Sequence, residues 1–194
     1  NSAIGLINEF DLIKISLLEF KPDSVSKFHG KELIWYSEKH CKSPFFRLGD
    51  NFSERNKSTI NPILNTIQIQ NTLAQLDCSS GFEYNTGDGI EYTVKINYLN
   101  TNLLGFNIFS SWFCGGAHPD FGGQGYLLDL NNGKEYDIDD ILAFDPTVTT
   151  EKQGGFDAFS AYRQRFFAPK LFEIINNYTQ LTNEAERDCD YTDL

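Results

Sequence analysis

The chain has 194 residues, enough to bury a full core, and its 40 % apolar and 14 % aromatic content is that of a globular protein rather than a disordered tail. Sixteen basic against 27 acidic side chains leave a formal charge of −11. That balance disfavours nucleic acid, whose phosphates select a basic face, and an anionic membrane surface, and no apolar run approaches the roughly 20 residues that span a bilayer.

The first forty residues read as strands. "DLIKISLLEF" (11–20) is apolar and β-branched, "KPDSVSKFHG" (21–30) carries turn chemistry, and "KELIWYSEKH" (31–40) alternates up to Cys41. The polar stretch 41–58 predicts a surface loop. Residues 58–78 predict a helix capped by Ser58 or Thr59, with Pro62 in its first turn and a stripe of Ile60, Ile63, Leu64, Ile67, Leu73 and Leu76. A hinge-like segment, 79–89, leads into three strands. In the first, Tyr92, Val94, Ile96 and Tyr98 alternate with Thr93, Lys95 and Asn97. The second, "LLGFNIFSSWF" (103–113), is apolar enough to be central. The third opens a hairpin over 124–138, where Asn132–Gly133 suits a type I′ turn. A short helix follows, with Asp137 or Asp139 near its cap. A longer amphipathic helix covers 156–181, and Pro169 should kink or split it. This order predicts an α+β fold, an antiparallel sheet with helices packed on one face. Residues 1–90 form an N-terminal strand and helix lobe and 91–194 a second lobe, the two making one compact unit.

Cys41, Cys78, Cys114 and Cys189 contain no C-x-x-C pair, which sets aside zinc ribbons and thioredoxin-like motifs. Four widely spaced cysteines suit two disulfides in an oxidising compartment, in any of three connectivities. The three histidines, His29, His40 and His118, are too scattered to form a metal site, and no phosphate-binding glycine motif occurs, so neither metal nor cofactor is expected.

The segment "CGGAHPDFGG" (114–123) concentrates the unusual chemistry. Cys114 and His118 could form a nucleophile and base pair only if they faced each other. Pro119 holds His118 extended, and the glycines serve backbone geometry at a strand end. The carboxylates Asp129, Glu135, Asp137, Asp139 and Asp140 lack the spacing of a calcium loop and read as turn and cap residues.

Gly115, Gly116, Ala117 and His118, after a long apolar strand, are followed by Leu128, Asp129, Leu130, Gly133, Lys134, Ile138, Asp140, Ile141 and Leu142. Together they resemble the joint motif of the domain family of unknown function numbered 3298. The upstream helix and strands sit where its usual partner domain, numbered 4163, has its own, so the resemblance spans about residues 30 to 180. It implies an extracytoplasmic α+β binding domain without catalytic residues, periplasmic or at the cell surface. Similar proteins include lysozyme-sensing anti-sigma factors, accessory domains of peptidoglycan deacetylases and envelope lipoproteins. The chain starts at Asn1 rather than Met, which fits a removed signal or lipoprotein leader that could anchor it to lipid. The expected partner is a basic wall-degrading enzyme, bound or inhibited as in toxin immunity, or peptidoglycan itself. Trp112, His118, Asp120 and Phe121 are the candidate contact residues, an aromatic anchor with a polar rim. The alternative is a wall-glycan or wall-peptide hydrolase using His118 with a carboxylate from Asp129 to Asp140.

Overall fold

A computed structural model describes residues 9–39, 41, 43–80, 89–115, 118–141 and 151–179. The fold is α+β, in two compact units, residues 1–136 and 137–194. The expected single sheet is instead two three-stranded antiparallel sheets, both in the first unit. One holds β1 (Phe20–Phe28), β2 (Lys31–Glu38) and β3 (Phe45–Leu48); the other holds β4 (Gly89–Leu99), β5 (Leu103–Phe113) and β6 (Asp120–Asp129). The helices of this unit are α1 (Glu9–Leu17) and α2 (Glu54–Ser80).

Three expectations for the N-terminal part are corrected. Residues 9–17 are helical rather than extended. Glu9 and Asp11 lie in the first turn of α1, where acidic groups suit the helix dipole, and Lys14 reaches Asp77 on α2. The supposed turn at 21–30 is mostly strand β1, an edge strand whose register slips between Pro22 and Ser24. Proline is tolerated at such an edge irregularity, and the exposed polar surface of β1 leaves no apolar alternation to read. The supposed loop after Cys41 contains β3, four residues that are all buried.

The β1–β2 connection is a two-residue hairpin, with Phe28 opposite Lys31. His29 (φ 47°) and Gly30 (φ 78°) both take positive φ, so the left-handed pair expected at Asn132–Gly133 occurs here. At 129–134 only Gly133 is left-handed (φ 73°). Asp129 and Lys134 close a longer turn in which the Asp129 N–H donates to the Lys134 carbonyl at 2.8 Å.

Helix α2 begins earlier than expected. The Ser53 hydroxyl accepts the Asn56 N–H at 3.1 Å, which places the cap at Ser53 and Pro62 inside the helix. Ile60, Leu64 and Ile67 are buried as the apolar stripe predicts. Further along, Gln68, Thr72 and Gln75 are buried in preference to Leu73 and Leu76.

The core lies among α2 and the two sheets. Phe46 stacks on Phe45 at 5.3 Å and meets the edge of Phe106 from the other sheet at 5.2 Å, while Phe106 stacks on Tyr126 at 4.8 Å. Leu33, Leu48, Leu104 and Leu128 complete it. On β4 the alternation holds through Ile96. A bulge between Ile96 and Tyr98 then reverses it, so Tyr98 is exposed and Leu99 buried.

In the second unit, α3 (Ile138–Ile141) follows Asp137, whose N–H donates to the Asp140 carboxylate at 3.0 Å. Helix α4 (Glu151–Tyr162) is interrupted at Gly155 (φ 76°). A π-helical turn, Arg163–Phe167, joins it to α5 (Ala168–Thr179). The helix is not split at Pro169, which falls in the first turn of α5 directly after this π-helical turn. The wide turn comes just before a residue that has no N–H to give and whose ring would crowd the preceding carbonyl.

Among the described residues no helix is long and apolar enough to cross a membrane.

Candidate functional site

The disulfide joins Cys78, near the end of α2, to Cys114, just past β5, at a sequence separation of 36. It consumes the thiol that a Cys114–His118 pair would need. Cys41 is buried and carries a free thiol; Cys189, the remaining partner for the expected second bridge, lies outside the described residues. Burial pushes the Cys41 thiol above its usual range, and the neighbouring Glu38 carboxylate adds to the effect. Cys41 should therefore resist iodoacetamide in the native protein and react only after unfolding, as peptide mass mapping would read. Native labelling at the rate of an open thiol would contradict its burial.

Beyond Cys114, Gly115 takes φ 88°, a conformation that favours glycine, and the chain turns into β6. Gly116 and Ala117 lie outside the described residues. His118 is exposed, with Nδ1 3.0 Å from the Pro119 carbonyl oxygen. The exposed Asp120 carboxylate accepts the Phe121 N–H at 2.8 Å.

The β5–β6 register divides the four candidate residues. Trp112 lies opposite Asp120, and Ser111 opposite Phe121. Side chains alternate across a strand, so Trp112 and Asp120 share the face of Phe106 and Ile108, whereas Phe121 belongs to the opposite face. Trp112 is half-buried and lies over Gly122, where an added Cβ would stand 3.3 Å from its ring. That glycine makes room for the indole.

On the other face Phe121 is 71 % and Phe109 46 % exposed, their ring centroids 6.2 Å apart. Phe109 lies opposite Gly123 on β6, and the neighbouring Asn107 lies opposite Gly125, so apart from Phe121 these β6 positions offer no side chain to cover it. Glu91 stands opposite Ser111, in the same row as Phe121. Phe109 was missing from the sequence candidates. Its signal was the alternation in "FNIFSSWF", where Phe106 and Ile108 take the core side and leave Phe109 outward.

His118 is not brought near the carboxylates of the turn after β6 that belong to this unit. Asp129 ends β6 nine residues after Asp120 begins it, about 30 Å along an extended strand. Asp129 is also engaged locally: the Asn131 N–H, then the Asn131, Tyr136 and Asn132 side chains, hold its carboxyl below the usual range. Among the described residues no three His, Cys, Asp or Glu side chains form a group able to hold a metal ion.

A second place was invisible in the sequence. Arg47 on β3 is only 8 % exposed, and its guanidinium donates to the Phe46 carbonyl and to the Asn65 and Gln68 side-chain oxygens at 2.7–2.8 Å. Burial lowers its pKa to about 10, which leaves it protonated at neutral pH.

No family model matches the chain, and no curated protein matches it.

Proposed function

We propose that the protein is an extracytoplasmic, non-enzymatic binding domain whose outer β4–β5–β6 face seats a basic protein of the cell-wall-degrading class. One observation carries this reading: two neighbouring phenylalanines, Phe109 and Phe121, are open to solvent on a chain of net charge −11. An exposed aromatic pair on an acidic chain suits a cationic partner, because the net charge steers the encounter and the rings supply the desolvated anchor. The Cys78–Cys114 bridge fits an oxidising compartment, and the resemblance to envelope-binding domains points the same way. Compared with the candidates named from sequence, Phe121 is kept, Phe109 joins it in place of Trp112, and His118 and Asp120 stand at the margin.

The test is binding to a lysozyme-type enzyme, measured at low and high salt. The expected result is association that slows with salt. Phe109→Ser with Phe121→Ser should weaken it by about 2 kcal/mol, roughly thirtyfold. Absence of binding at low salt, or binding indifferent to both substitutions, would refute the reading. Pelleting with purified peptidoglycan in place of enzyme binding would transfer the function to the wall itself. Turnover of a wall substrate abolished by His118→Ala would make the protein a hydrolase instead.

A further inference from the structure

An open groove of about 660 Å³ runs between α2 and the β1–β2–β3 sheet, with Arg47 in its lining. Phe20, Ile34, Tyr36 and Pro62 give it apolar walls, and Asn61 and Asn65 border it from α2. Arg47 is held there by three neutral acceptors, with its guanidinium 5.5 Å from the Tyr36 ring centroid. No carboxylate pairs with it among the described residues. Lys57, also on the groove, faces Glu54 at 2.7 Å and Asp50 at 3.7 Å, so the acids at that end have their own cation.

A largely buried cation with no counter-ion is unusual, because desolvating a charge is costly and neutral dipoles repay only part of it. It is more unusual in a chain with 27 acidic side chains available to supply a partner. A guanidinium carries five N–H donors. Bonds to Phe46, Asn65 and Gln68 involve only its two Nη atoms, which leaves the Nε–H and one Nη1–H for a partner outside the chain.

We propose that this groove binds a small organic monocarboxylate, with its carboxylate on Arg47 and its hydrocarbon body against Phe20, Ile34, Tyr36 and Pro62. The single unpaired cation matches one negative charge, and the apolar walls match a hydrocarbon body. Inorganic phosphate fits less well, since a dianion would call for a second free cation and would leave the walls uncovered. The chemistry is shared by two sources, a free aliphatic acid and the C-terminus of a peptide ending in an apolar residue. The site is independent of the outer face of the other sheet, so either reading can fail alone.

The experiment titrates the full chain with hexanoate, N-acetyl-leucine and inorganic phosphate, followed by amide chemical shifts and calorimetry. Hexanoate and N-acetyl-leucine should saturate one site centred on Tyr36, Arg47 and Asn61, while phosphate should not. The tighter of the two acids identifies the source. Asn65→Asp places a carboxylate oxygen where Asn65 already accepts the Arg47 Nη2–H at 2.8 Å. That variant should bind either acid at least about tenfold more weakly and melt no lower than the wild type. Three outcomes overturn the proposal: no saturable shifts with either acid, phosphate binding as tightly as hexanoate, or undiminished binding by Asn65→Asp. If Asn65→Asp fails to fold, the wild-type shift map decides, because perturbations lying away from Arg47 reject the site.

Discussion

Replacing Cys78 and Cys114 together by alanine is expected to lower the unfolding free energy by about 4 kcal/mol, the loop-entropy value for a 36-residue separation. The bridge ties the last turns of α2 to the end of β5 at the corner of the second sheet. Gln75 on α2 reaches the same corner, donating its Nε2–H to the Ile90 carbonyl at 2.8 Å, and Ile90 pairs with Trp112. Without the bridge this one amide must hold the corner. The loss should therefore have a local component: hydrogen exchange should quicken first at Ile90, Tyr92, Trp112 and Phe113, before the Phe46–Phe106 core opens. Urea denaturation of the variant and of the reduced wild type should agree within about 1 kcal/mol, since both remove the same constraint. A loss below about 1 kcal/mol would mean that packing, not the bridge, fixes the corner. Phe121 lies in the row next to Trp112, so the same variant should also weaken association through the outer face.

What the sequence revealed and what it hid follow from which forces leave a pattern. β2, β4, β5 and the core half of α2 carry apolar periodicity, because one side of each faces Phe46 and Phe106. β1 carries none, since an edge strand with polar residues on both sides is held by backbone bonds to β2 and by pairs such as the Trp35 Nε1–H to the Ser26 hydroxyl at 2.8 Å. β3 is too short to show a period. Its polar member, Arg47, is buried only because α2 supplies acceptors, a tertiary fact that no local window contains. α1 misleads in the other direction: its apolar residues Phe10, Leu12, Ile13 and Leu17 are exposed, so their β-branched, apolar run mimicked a strand. At the candidate site, composition singled out the segment 114–123, but face assignment required the register. Trp112 and Phe121 are nine residues apart and separated by a turn, so only the pairing of Trp112 with Asp120 shows that they lie on opposite sides.

The seven-residue spacing of Asn61, Gln68 and Gln75 is the feature of α2 most easily overlooked, and Gln68→Leu is expected to cost about 3 kcal/mol. Seven residues are nearly two helical turns, so the three amides form one row along the helix. Each meets backbone that a sheet would otherwise leave open. Asn61 accepts the Leu48 N–H at 2.8 Å and donates to the Leu48 carbonyl at 3.3 Å, as a neighbouring strand would. Gln68 donates to the Tyr36 carbonyl at 2.8 Å and the Ser43 carbonyl at 3.2 Å, and accepts from Arg47. Gln75 serves Ile90 on the other sheet and accepts from the Ser43 hydroxyl. The row thus caps the Leu48 end of β3 and open carbonyls at Tyr36, Ser43 and Ile90, and joins both sheets to one helix. Leucine has a similar volume but no donor or acceptor. Gln68→Leu therefore removes the amide donor from two carbonyls and one of three acceptors from a buried guanidinium, at about 1–3 kcal/mol for each unmet group, partly offset by leucine's apolar transfer. Gln70→Leu is the control, because Gln70 faces solvent on the same helix and should change stability by less than about 0.5 kcal/mol. Equal urea midpoints for the two variants would show that apolar packing alone seats α2. A loss confined to Gln68→Leu would assign that task to the amide row, and would explain why a helix in contact with both sheets keeps glutamines where an apolar stripe would place leucines.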